Sequence, residues 1–173
     1  MFTSPAQAAF HLWNIREIYT DASGSAQFIE FFCNSGGQQF VGGMQITVTP
    51  TGGGASHTFT IPGNLPGDTA NRAFLIATTA ADVAGAPTPD FVLPANFLFA
   101  GGGSISFFGQ NSGSYTALPT DGVLSRTWGD GNAMNSPQNF AGQVGVVTVP
   151  EPAAWALAAL GGFGLLVVLR RRS

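Results

Sequence analysis

Lysine is absent from the 173-residue chain, and charged residues of both signs make up only 9% of it. Ahead of residue 150 the positive side chains are Arg16, Arg72 and Arg126, and they oppose eight carboxylates. Nucleic-acid binding depends on several basic contacts to phosphates, so this weakly acidic composition argues against nucleic acid as a partner. The lack of lysine also excludes a P-loop lysine and Schiff-base chemistry.

Cysteine is nearly absent too, since Cys33 is the only one. A single thiol cannot form an intrachain disulfide, so the domain must be held together by its hydrophobic core. Roughly 140 residues are enough to bury such a core. We expect Cys33 to be a small buried hydrophobe at the end of a strand, with an intermolecular disulfide or a reactive thiol as the alternatives.

Few residues of the chain carry catalytic chemistry. The two histidines, His11 and His57, belong to no metal-binding pattern, and no Gly-x-Ser-x-Gly motif is present. We therefore expect no metal, no cofactor and no enzyme activity. Glu17 and Glu30 lie on neighbouring predicted strands and offer the carboxylate pair that glycoside hydrolysis needs. The favoured interpretation is that both satisfy backbone groups in a loop or at a sheet edge.

Short apolar or alternating runs, separated by glycine and proline, predict many β-strands between residues 10 and 149. The expected strands are 12–19, 26–34, 44–49, 57–61, 72–78, 104–108, 115–118 and 144–149. The first two strands are joined by turn residues at 21–25 and are expected to pair. The run 72–78 is expected to be buried on both faces, and 79–82 to begin a short helix with Thr79 as its cap.

Strands of this number and spacing predict an all-β, two-sheet sandwich. The large side chains expected to fill the space between the sheets are Trp13, Phe28, Phe59, Phe74 and Phe107.

The last two dozen residues differ from the rest of the chain. Val149, Pro150, Glu151 and Pro152 precede an uncharged apolar run at 153–169, and Arg170, Arg171 and Arg172 follow it. A helix made of this run is about 25 Å long, the lower limit for crossing a bilayer, so we predict one C-terminal transmembrane helix. The basic residues after it place the C-terminus in the cytoplasm and the domain outside.

The N-terminus has part of an export signal. Residues 6–8 (Ala-Gln-Ala) match the small-x-small pattern of a signal-peptidase site, but no basic and apolar segment precedes them. We expect the true start to lie upstream, so that residues 1–9 are the remnant of a signal peptide and 10–149 form the exported domain.

The C-terminal arrangement resembles the PEP-CTERM sorting signal of exported bacterial proteins, with its Pro-Glu-Pro box, short apolar helix and terminal arginines. The signal would span residues 150–173. The resemblance implies recognition by exosortase, a membrane protease and transpeptidase of bacteria that make exopolysaccharide, and removal of the helix near the box. The alternative is an ordinary anchor with an incidental Pro-Glu-Pro. Ala154, Ala158 and Gly162 would then suit helix contacts of a permanently anchored adhesion module.

Segments of the first half of the domain are similar to the lamin-tail domain. They are residues 15–18, 28–31, 59–62 and 75–77. The resemblance implies an immunoglobulin-like sandwich and no particular activity, since one such fold hosts many functions.

The candidate for stacking on a ligand is Trp128, which lies beside Arg126 in a polar loop. The domain draws its polarity from Ser, Thr, Asn, Gln and Gly, which suits hydrogen bonding to sugars and equally suits an inert scaffold. The sequence thus predicts an exported, non-enzymatic surface or matrix protein associated with exopolysaccharide. A secreted carbohydrate-active enzyme that uses Glu17 or Glu30 is the alternative from another class.

Overall fold

The computed structural model describes residues 12–108, 111–129 and 131–149. The elements are β1 (Asn14–Thr20), β2 (Gln27–Cys33), β3 (Gln45–Pro50), β4 (His57–Thr60), β5 (Arg72–Ala77), α1 (Thr79–Val83), β6 (Phe91–Val92), β7 (Gly103–Phe107), β8 (Asn111–Tyr115), β9 (Leu124–Thr127) and β10 (Gly131–Met134). The predicted signal-peptide remnant at 1–9, the Pro-Glu-Pro box, the helix at 153–169 and the arginine cluster lie outside the described residues. Within them, no helix has the length and apolar character needed to span a bilayer.

The strands form two sheets. One has six strands in the order β10-β9-β1-β2-β5-β6, and the other has four in the order β4-β3-β7-β8. Neighbouring strands are antiparallel except for β5 and β6, which run parallel. The predicted all-β, two-sheet sandwich is confirmed, and so is the pairing of the first two strands.

An aromatic cluster fills the space between the sheets. Trp13 meets Phe74 edge-on at 4.6 Å between ring centroids, and Phe31 lies 4.8 Å from Phe74 and 4.9 Å from Phe107. Such pairs contribute about 0.5–1.5 kcal/mol each beyond the area that they bury. Phe31 was not among the expected core residues, and Phe59 is only partly buried at the margin of this cluster.

A second buried cluster lies on the outer face of the six-stranded sheet. Tyr19 and Phe28 stack there at 5.2 Å beside Leu75, beneath Ala81 of helix α1 and Val147. Phe28 is therefore fully buried as predicted, but on the opposite face of its sheet from the one between the two sheets. Strand β5 is buried on both faces, which confirms the prediction for 72–78.

Two strand predictions are wrong: the one at 115–118 is displaced, and the one at 144–149 is not a strand. Residues 116–118 lie beyond the end of β8, because the strand runs through the preceding Ser- and Gly-rich residues and ends at Tyr115. Residues 144–149 form only one isolated bridge, between Gln138 and Val144, and otherwise hydrogen-bond to loops. The short helix is confirmed, but its cap is Thr78 and not Thr79, since the Thr78 side chain accepts from the backbone N–H of Ala81.

Candidate functional site

Trp128 lies at the turn between β9 and β10, with its indole over Gly113 of strand β8. A side chain at position 113 would not fit, because a Cβ there would lie 2.4 Å from Cζ2 of the indole. The backbone N–H of Trp128 donates to the carbonyl of Arg16 at 2.8 Å, which fixes the turn to β1. One side of the ring packs against the sandwich core, and the residue stays partly exposed. The turn therefore holds an aromatic ring at the surface in a fixed position.

An open cavity of about 360 Å³ surrounds this ring, and we call it the Trp128 groove. Besides Trp128 it is lined by Ser114 and Thr116 of the β8 segment and by Arg126 of β9. The Arg126 guanidinium donates through Nη2 to the Thr116 hydroxyl at 3.0 Å and to the Ala117 carbonyl at 3.2 Å. These bonds fix the two walls of the groove to each other.

A second open cavity, of about 550 Å³, lies on the other side of β8 and shares Ser114, Tyr115 and Thr116 with the groove. Burial raises the pKa of the Tyr115 hydroxyl, against the opposing effect of the Phe99 N–H that donates to it at 3.3 Å. Together the two cavities offer hydroxyls, backbone amides, one guanidinium and one indole. Such a set can bind a hydroxylated ligand by stacking and hydrogen bonding.

The structure brings the predicted carboxylate pair together. Glu17 of β1 and Glu30 of β2 are paired in register, and they are only 4% and 0% exposed. The Glu17 carboxylate accepts from the Ser125 hydroxyl at 2.5 Å and from the Ser136 N–H at 3.0 Å. The expected location in a loop or at a sheet edge is therefore wrong, because β1 and β2 are interior strands of their sheet.

Glu30 is the more perturbed member of the pair. Burial raises its pKa to about 8, while the Arg16 guanidinium lowers it and the neighbouring Glu17 raises it further. The Arg16 guanidinium is 3.3 Å from Oε1 of Glu30, but that arginine is 41% exposed and shares its charge with solvent. A carboxyl with this environment keeps its proton at neutral pH.

Residues 135–149, which we call the C-terminal strap, cross the outer face of the six-stranded sheet and cover this pair. The strap hydrogen-bonds to Glu17, Ala84, Thr88, Asp90, Gly122 and Val123. Asn135 is the first residue of the strap and is fully buried. Its amide accepts from the Val147 N–H at 2.6 Å and donates to the carbonyls of Val147 and Val123.

The strap stays attached as far as its last residue. The Thr148 N–H donates to the Ala84 carbonyl at 3.0 Å, and the Val149 N–H donates to the Gly122 carbonyl at 3.1 Å. Gly122 has a φ of +81°, and a Cβ there would collide with the Val149 carbonyl. The fold therefore extends up to residue 149.

The remaining sequence candidates have structural roles. Cys33 is the buried last residue of β2, which confirms the prediction for it, and burial raises the pKa of its thiol. Asp21 accepts hydrogen bonds from Ser23 and Ser25 in the turn before β2. His57 stacks on Phe99 at 4.5 Å. In the part of the chain that the structure describes, no cluster of three or more His, Cys, Asp or Glu side chains could hold a metal ion.

These features define a β-sandwich domain with an open surface groove and a C-terminal strap that is bonded to the domain as far as Val149. Residues 148–172 match the family model of the PEP-CTERM protein-sorting motif. The match confirms the predicted sorting signal, and the motif indicates an exported protein that exosortase sorts. No curated protein and no solved structure matches this chain.

Proposed function

We propose that this chain is a non-enzymatic protein of the cell surface or extracellular matrix, which exosortase processes at its C-terminus. The observation that carries this proposal is the sorting-motif match at 148–172. Before processing, the protein sits in the inner membrane with its domain outside and its C-terminus in the cytoplasm. After processing, it is released or transferred to the surface, where it associates with exopolysaccharide.

The burial of the acidic pair supports a non-enzymatic role. A glycosidase needs two carboxyl groups that reach the sugar from either side of the scissile bond. Glu17 and Glu30 are instead beneath the C-terminal strap, and neither lines the Trp128 groove. The lamin-tail resemblance and its immunoglobulin-like connectivity stay predictions, because they rest on the sequence alone.

Mass spectrometry of the mature protein from its native host tests the processing. We expect a product whose C-terminus lies at or after Val149 and before the apolar run at 153–169. The physical reason is that Thr148 and Val149 are hydrogen-bonded into the domain, whereas a protease needs an extended, unpaired segment. In a variant with Pro150, Glu151 and Pro152 all replaced by alanine, the chain should stay complete to Ser173. A wild-type product that ends at Ser173 would contradict the proposal.

Retention in exopolysaccharide tests the role of the groove. Trp128→Ala should weaken retention at least tenfold, since an aromatic anchor in a pocket contributes about 2 kcal/mol to binding. The measurement is the fraction of mature protein that sediments with the host polysaccharide at increasing protein concentration. Phe108→Ala is the matched control, because Phe108 is also an exposed aromatic, at 51%, but does not line the groove. Equal retention of both variants would exclude Trp128 as a binding residue.

A further inference from the structure

The outer face of the four-stranded sheet is made almost entirely of hydroxyl side chains. In each strand every second residue points into the core, and the residues between them point outward. The outward residues of this surface, which we call the hydroxyl face, are Gln45, Thr47, Thr49, Thr58, Thr60, Ser104, Ser106, Ser112 and Ser114. None of the four strands contains Asp, Glu, Lys or Arg.

The strand register arranges these hydroxyls in rows. Thr58, Thr47, Ser106 and Ser112 are successive register partners across the four strands. Thr49, Ser104 and Ser114 form a second row in the same way. Neighbouring strands are about 4.8 Å apart, and the rows are about 6.7 Å apart along the strands. The result is a flat, regular and uncharged array.

Much of the hydrogen-bonding capacity of this array is unused. On the β3–β4 side, Thr47 pairs with Thr58 at 3.2 Å and Thr49 pairs with Ser56 at 2.7 Å. On the β7–β8 side, the serine hydroxyls at 104, 106, 112 and 114 make no hydrogen bond to any residue that the structure describes. Ser104, Ser112 and Ser114 are exposed, and Ser106 is half-buried. Each hydroxyl can donate one bond and accept two, so the four serines keep this capacity for a ligand.

We propose that the hydroxyl face, together with the Trp128 groove, is the docking surface for a neutral polysaccharide chain. This proposal rests on the association with exopolysaccharide proposed above and specifies its chemical class. Hydroxyls that both donate and accept match the hydroxyls of a sugar in either orientation. Ser114 belongs to the face and also lines the groove, whereas the Trp128 ring packs against Gly113 on the core side of β8. A chain that lies across the rows therefore reaches Trp128 by passing over the edge of β8.

Charge favours a neutral partner over an acidic one. The face has no cation with which to pair an anionic sugar. Ahead of residue 150 the chain has three arginines and eight acidic side chains, of which Glu30 keeps its proton at neutral pH, so its field repels a polyanion. Of those arginines, Arg126 lines the groove, and its guanidinium is already bonded to Thr116 and Ala117. An acidic polysaccharide therefore lacks the ion pairs that would offset its desolvation.

The area of the face argues against a second copy of the chain as its occupant. Four strands of this length present about 300 Å². A stable protein interface buries about 800 Å² on each partner. A polysaccharide chain has no such requirement, because it can continue beyond the edge of the face and over the groove.

Binding of defined polysaccharides to the full-length protein in detergent micelles tests the proposal. The probes are soluble hydroxyethyl cellulose and dextran, which are neutral, and alginate, a polyuronate. We expect the wild type to bind at least one neutral polymer and to bind alginate at least tenfold more weakly. Ser104→Ala combined with Ser114→Ala should weaken the neutral binding roughly tenfold, since each lost hydrogen bond contributes about 0.5–1.5 kcal/mol.

The matched control combines Thr88→Ala with Ser136→Ala, which removes two exposed hydroxyls outside the face. Wild-type affinity in this control and weak binding in the Ser104/Ser114 variant, with equal melting temperatures, would support the proposal. Failure of the wild type to bind any neutral probe, tighter binding to alginate, or equal affinity of the two double variants would overturn it. The assay needs no processing, so a failure of exosortase sorting would not affect its outcome.

Discussion

Replacing Glu30 with glutamine is expected to stabilise the protein at neutral pH and to remove most of its pH dependence between about 4.5 and 8. The pKa of the Glu30 carboxyl rises to about 8 in the folded protein, mainly through burial, from an ordinary value of 4.5. Between these values the folded protein keeps a proton that the unfolded chain releases. The stabilisation that protonated Glu30 contributes is therefore fully present below about pH 4.5, the pKa of this carboxyl in the unfolded chain. It is lost as the pH rises through about 8, the pKa in the folded protein.

Glutamine imitates the protonated carboxyl at every pH, so the variant does not lose this stability. At pH 7 the expected gain in the free energy of unfolding is on the order of 3 kcal/mol. Urea unfolding at a series of pH values measures it. Asp82→Asn is the control, because it neutralises an acid in helix α1, away from the buried pair. A Glu30→Gln variant with the same pH slope as the wild type would show that Glu30 is ionised in the fold.

The second large effect is expected for Asn135→Ala, which removes the side chain that joins the first residue of the C-terminal strap to Val147 near its end. The change leaves the buried N–H and carbonyl of Val147 without their partner in Asn135. Unpaired buried polar groups cost about 1–3 kcal/mol each, so we expect a loss of about 3 kcal/mol in the free energy of unfolding. Hydrogen exchange should also accelerate at the amides of Val147 and Val149, because the strap loosens first.

Asn132→Ala is the matched control for this prediction. Asn132 is an exposed residue of β10, and a surface substitution of this kind changes stability by about 0.5 kcal/mol or less. If the two alanine variants unfold at the same urea concentration, the bonds from Asn135 do not hold the strap.

The sequence predicts those parts of the molecule whose signal is local. Strands β1, β2 and β5 are rich in apolar and β-branched residues, and the sorting motif is contiguous. Strand β8 gives no such signal, because Asn111–Tyr115 alternates serine with Asn and Gly, and only Tyr115 is apolar. The short strands β9 and β10 also lack alternation, since their pairing depends on each other and on β1.

The candidate site could be predicted only in part, for a similar reason. Trp128 is recognisable as a surface aromatic from its polar neighbours, but its position over Gly113 depends on a contact between distant segments. The hydroxyl face has a clear sequence signal in Thr47 and Thr49 and in Ser104 and Ser106. Its arrangement in rows follows from the register of four strands, which no single segment determines.

The sorting motif and the sandwich share Thr148 and Val149, the first two positions of the match and the last two that the fold secures. The first two residues of the motif therefore also belong to the folded domain. A fusion that transfers residues 148–172 to a reporter includes two residues whose backbone N–H groups hydrogen-bond to this domain. A maturation cut upstream of Val149 would remove the hydrogen bond from Val149 to Gly122. A mature C-terminus upstream of Val149 would thus show that the end of the strap was detached from the domain when the enzyme acted, and one at or after Val149 would be compatible with an attached strap.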